Sequence, residues 1–73
     1  MTDYFTNDDG ELAYINETTN GHGQRQLLVH VPGAMAGYKA TQAVRQHLYD
    51  RLLEGGWHPV EPDNVRSILR EVI

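Results

Sequence analysis

Between Gln24 and Val31 the side chains alternate in a way that only a two-sided sheet satisfies. Leu27, Val29 and Val31 fall on one face, and Gln24, Gln26, Leu28 and His30 on the other. The first face reads as core. The second is mixed and partly apolar, suited to solvent or to a partner. Pro32-Gly33 ends the segment. A second strand precedes it. Asn7-Asp8-Asp9-Gly10 is a turn signal, and Glu11 to Asn16 reads as a strand. Thr18-Thr19-Asn20-Gly21-His22-Gly23 supplies the loop, with glycines for positive φ, and a hairpin results.

The rest of the chain turns helical. A short further strand around Tyr38 is compatible with the Ala34–Ala40 stretch. Thr41 is an N-cap for a helix running to about Glu54, in which Val44, Leu48 and Leu52 make an i, i+4 row. Gly55-Gly56 stops it. Trp57-His58-Pro59-Val60 reads as an extended connector. Glu61-Pro62-Asp63 opens a second helix whose apolar stripe is Val65, Ile68, Leu69, Val72 and Ile73. The fold class is therefore a small α+β domain, one unit over residues 1–73. Leu27, Val29, Leu48, Leu52, Trp57, Ile68 and Leu69 are expected to face inward.

Size limits what such a unit can do. A chain of 73 residues buries only roughly 60% of the surface its extended form exposes. That allows a thin core and argues against a deep enclosed active site. With no cysteine, thiolate zinc and thiol redox chemistry are excluded, and packing or a partner must supply stability. No apolar run approaches the ~20 residues of a membrane span. The opening residues lack the pattern of a secretory signal. A cytoplasmic location and no membrane partner are expected.

The net charge is −4, and all of it resides in residues 1–37, where five acids face Arg25 alone. Nucleic acid wants a basic face, and none is apparent, so no nucleic-acid partner is expected. The four histidines, His22, His30, His47 and His58, have no metal-ligand spacing. Asp8, Asp9 and Glu11 lack the alternating ligands of a calcium loop. Ser67, the one serine, has no adjacent base. No catalytic residue, metal or cofactor is expected: the residues describe a binding module and not an enzyme.

One segment is more specific. Leu53-Glu54-Gly55-Gly56-Trp57-His58-Pro59-Val60-Glu61-Pro62-Asp63-Asn64-Val65-Arg66 resembles the C-terminal signature of MbtH-like proteins, I/V-E-x-x-W-T-D-x-R-P-x-S-L-R. Its glutamate, tryptophan, second proline and final arginine fall in register without a gap. Phe5 to Gly10 is similar to that family's F-D-D-x-x-G opening. Tyr14-Ile15-Asn16 is similar to its V-N strand end, Gln24 to Leu28 to Q-x-S-L-W, and Ala36-Gly37-Tyr38 to A-G-W. The loop between Asn16 and Gln24 is longer than is usual there.

The resemblance implies a three-stranded antiparallel sheet packed on one helix, followed by a C-terminal amphipathic helix. It further implies an accessory role in nonribosomal peptide synthesis of antibiotics or siderophores. The chain would bind the adenylation domain of a synthetase and support its folding and amino-acid activation in a chaperone-like way, being monomeric when unbound. The implied partner-binding residues are Asn16, Gln24, Gln26, Leu27, Leu28, Gly37 and Tyr38. Gln26, Leu28 and Tyr38 stand where the family has a serine and two cleft tryptophans, so Leu28 and Tyr38 are expected to be exposed neighbours. The competing expectation is a small acidic regulatory or inhibitory binder, encoded by a phage or mobile element, that uses its acidic N-terminal hairpin.

Overall fold

A computed structural model describes residues 2–61. Five strands and one helix follow in the order β1 (Thr2–Thr6), β2 (Leu12–Thr19), β3 (Arg25–Val31), β4 (Ala34–Lys39), α1 (Gln42–Glu54) and β5 (His58–Val60). The strands form one antiparallel sheet in the order β4-β3-β2-β1-β5. The architecture is α+β as expected, but the sheet has five strands where three were expected. The expected C-terminal helix, with Ile68 and Leu69, lies outside the described residues.

Three turns fold the first four strands into a meander. The first two are built alike. Asn7 Oδ1 accepts from the N–H groups of Asp9 and Glu11 at 3.1 and 3.0 Å. Asn20 Oδ1 accepts from those of His22 and Gln24 at 2.9 and 3.0 Å. In each turn the third residue after the asparagine is a glycine at positive φ, 75° at Gly10 and 77° at Gly23. An Asx turn closing on a left-handed glycine is a hairpin device that few other residue pairs can supply. The third turn is the two-residue Pro32-Gly33 loop, which closes β3 on β4 with Val31 opposite Ala34.

β4 and β5 run in the same direction at opposite edges of the sheet, so the chain must cross a face to join them, and α1 makes that crossing. Thr41 caps it, its Oγ1 accepting from Val44 N–H at 3.2 Å. At the other end Gly55 N–H donates to the carbonyls of Arg51 and Leu52, and Trp57 N–H to that of Leu52. These bonds satisfy carbonyls that the last turn leaves open.

The core lies between α1 and the face it crosses: Phe5, Ala13, Ile15, Leu27, Leu48 and Leu52. Val29, Val44, Tyr49 and Trp57 pack around it half-buried. Leu27, Leu48 and Leu52 are thus inward as expected, while Val29 and Trp57 sit at the margin. Phe5, Ala13 and Ile15 complete the core from strands β1 and β2. The Trp57–Val60 connector is a correction. His58–Val60 pairs with β1, Thr6 opposite His58 and Tyr4 opposite Val60. Arg45 of α1 bonds Asp3 at 2.8 Å and approaches Glu17 at 3.8 Å, which holds the helix across one end of the sheet.

Candidate functional site: the open face of the sheet

The helix covers one face, and no described element packs on the other. Residues paired across antiparallel strands share a face, so the register defines the open side row by row. One row runs across all five strands: Val60, Tyr4, Tyr14, His30 and Met35. The Tyr4 and Tyr14 rings meet edge-on at 6.3 Å, and Tyr14 stacks on the His30 imidazole at 5.1 Å with 21° between planes. Met35 is 57% exposed at the end of the row. A neighbouring row holds Thr2, Asn16, Leu28 and Gly37. There Thr2 Oγ1 donates to Asn16 Oδ1 at 2.8 Å.

Gly37 shapes this second row. A Cβ at that position would stand 3.5 Å from Gln26 Oε1 and 3.7 Å from Leu28 Cδ2. The missing side chain leaves a shallow floor, with Gln26 and Leu28 leaning over it. No acidic residue belongs to the open-face set of strands β1 to β5, although the chain as a whole is acidic. The aspartates and glutamates among the described residues lie on the helix face, in turns, on α1 and, at Glu61, just past β5. An aromatic, methionine-bordered strip without acidic residues is a composition that protein interfaces favour at their centres.

Of the residues expected to bind a partner, Asn16, Gln26, Leu28 and Gly37 are brought together here. Gln24 is exposed at the end of the β2–β3 turn. Leu27 is a correction: it is fully buried under α1 and offers nothing to a partner. Tyr38 is another. It pairs with Leu27 and projects on the helix face, while Leu28 pairs with Gly37. The cause is parity. A two-residue loop between Val31 and Ala34 makes opposed residue numbers sum to an odd value, so two even-numbered residues of this hairpin face opposite sides. Leu28 and Tyr38 therefore cannot be neighbours on one face.

Tyr4 and Tyr14 were missed by sequence reasoning, because β1 was not foreseen and Tyr14 acquires its neighbours only through pairing. The signal that existed was alternation: Tyr14 stands between the core residues Ala13 and Ile15. His30 was already placed outward by the same rule.

Among the described residues no group of three histidine or carboxylate side chains is gathered closely enough to hold a metal ion. His58 Nε2 lies 3.8 Å from Asp8 in an exposed pair. No described helix is long and apolar enough to cross a membrane. Compared with known proteins, the sequence matches no family model, and no curated protein or solved structure matches it.

Proposed function

We propose that this chain is a non-catalytic accessory module that docks on another protein through the open face of its sheet, and that the partner is the adenylation domain of a nonribosomal peptide synthetase. The observation that carries the docking reading is the Val60–Tyr4–Tyr14–His30–Met35 row beside Leu28 and Gly37. It is rigid, because each member is held by a paired strand. It carries no acidic side chain in an acidic chain. Its rings are prestacked, so little side-chain freedom is lost on binding. The choice of partner is supported by the resemblance at Leu53–Arg66 and by the convergence of Asn16, Gln26, Leu28 and Gly37 on that face.

The role of each residue follows from its placement. Leu28 and the shallow floor at Gly37 receive or insert a small apolar side chain. Tyr14 and His30 give a flat surface for a second anchor. Asn16 and Gln26 supply amide hydrogen bonds at the rim. Co-purification with adenylation domains of synthetases from the same organism, followed by amino-acid-dependent pyrophosphate exchange, tests the reading. Central anchors commonly contribute about 2 kcal/mol, roughly 30-fold in affinity. Leu28→Ala and Tyr14→Ala should each weaken binding by about that factor with the fold intact, and Tyr38→Ala should leave it unchanged. Binding that ignores Leu28→Ala and Tyr14→Ala would refute the open face as the docking surface. Failure to bind any adenylation domain would refute the partner.

A further inference from the structure

The two edges of the sheet are not alike. Natural edge strands are blunted by shortness, proline, charge or a covering element, because their outward N–H and C=O groups invite another strand. β5 is blunted: it has three residues with Pro59 at its centre. β4 is not. It has six residues, Ala-Met-Ala-Gly-Tyr-Lys, all exposed, with no proline and no charge before its last position. Among the described residues only β3 pairs with it.

Charge is segregated at the same edge. Four of the six basic residues are in the described part of the chain. Arg45 is occupied by Asp3 and Glu17. The other three, Arg25, Lys39 and Arg51, all border β4. Arg25 and Lys39 line a groove on one side of Tyr38, together with Gln24 and Gln26. Arg51 lines a groove of about 430 Å³ on its other side, between β4 and α1, with His47 and Trp57. Neither groove has an acidic residue in its lining. Among the described residues Lys39 and Arg51 form no ion pair, and Arg25 reaches Glu17 only at 3.9 Å.

We propose that β4 is a second docking site, which takes an extended acidic segment of a partner protein as a sixth strand. Main-chain hydrogen bonds to the outer side of β4 would supply affinity, and alternate side chains would supply specificity. Those on the helix side enter the groove between Tyr38 and Trp57, where an apolar or aromatic residue fits. Glutamates and aspartates of the segment meet Arg51 and His47 on that side and Lys39 and Arg25 at the lower end. The proposal rests on the β4 edge and its cations and not on the reading of the open face, although Met35 and Gly37 of β4 belong to both.

A fluorescein-labelled ten-residue peptide in which pairs of Glu alternate with Val-Tyr pairs, so that each face of the strand carries both acidic and apolar side chains, is the probe, read by anisotropy and by amide exchange of the intact chain. Saturable binding is expected, with slowed exchange confined to residues 34–39. A peptide of the same composition with alternate amides N-methylated should bind at least tenfold more weakly, as should its Lys-for-Glu counterpart. The double change Lys39→Glu with Arg51→Glu should weaken the acidic peptide at least tenfold, whereas His58→Glu, on the exposed β5 at the opposite edge, should not. Equal binding of the N-methylated peptide would overturn the proposal in favour of simple charge adsorption, and that comparison uses the unaltered protein. No binding would overturn it outright. A chain that sediments as a dimer through β4, or whose β4 amides are as protected without peptide as with it, would assign the edge to a second copy or to another part of this chain.

Discussion

Phe5 is the test of how this fold is held together. It is fully buried, it sits on β1 between β2 and β5, and its ring meets Tyr49 edge-on at 5.1 Å with 66° between planes. The ring therefore joins the N-terminal strand to α1 and braces the strand on which β5 is laid. Removing a buried phenylalanine side chain to Ala costs about 3–5 kcal/mol, including the cavity it leaves. Loss of the aromatic pair with Tyr49 belongs to that figure and is not added to it. The chain's 73 residues set a total stability of about 4–11 kcal/mol, so Phe5→Ala should remove between about a quarter and all of it. Urea denaturation followed by far-ultraviolet circular dichroism is the assay. With a slope of about 1 kcal/mol per M, typical of so small a domain, the midpoint should fall by about 3 M or more. Phe5→Leu keeps most of the volume and should cost less than about 1.5 kcal/mol. A Phe5→Ala variant whose midpoint lies within about 0.5 M of the parent would show that β1 is not packed beneath α1, and the five-stranded register would have to be withdrawn.

Other outcomes follow from the same structure. Trp57 is half-buried at the core margin, so Trp57→Ala should cost about 2 kcal/mol, less than the range for a fully buried ring; denaturation that ranks it above Phe5→Ala would refute that placement. Asn20→Ala removes the acceptor for two turn N–H groups and should cost about 1 kcal/mol, read as a fall of roughly 4–8 °C in Tm. Asn7→Ala should match it, because the two turns share one geometry. Arg45→Met breaks a partly exposed ion pair with Asp3 and should cost under about 1 kcal/mol at low salt; repeating the melt at about 1 M NaCl should shrink the difference further.

The local signals in this chain were readable because each is carried by a few adjacent residues. Alternation from Gln24 to Val31 separated Leu27 from Leu28 without any knowledge of a partner strand. Thr41 and Gly55 bounded α1 correctly, because a hydroxyl cap and a glycine stop act within one helical turn. Both Asn-x-x-Gly turns were legible for the same reason. β1 was not, since it has five residues and only Phe5 is fully buried. Its inward Asp3 contradicts an apolar face until Arg45 arrives from α1 to pair with it. β5 was equally hidden, because three residues around a proline make a strand only when β1 is there to receive them.

The candidate site divides the same way. The sequence by itself determined that Gln26, Leu28 and His30 point away from the core, since side-chain period in a strand is a property of the backbone alone. The two-residue Pro32-Gly33 loop sets the odd-sum register of the β3–β4 hairpin, and with it the helix-side position of Tyr38. Only the tertiary structure decided which strands lie side by side. Pairing β1 and β3 on either side of β2 brings Tyr4, Tyr14 and His30 into one row, from positions 26 residues apart in the chain. Among the described residues, passing α1 across one face left the other uncovered, put Tyr38 beside Trp57, and left β4 and its cations at the edge of the sheet. Those are contacts between distant segments, chosen by which burial of the whole chain is lowest in free energy, and no short stretch of residues encodes them.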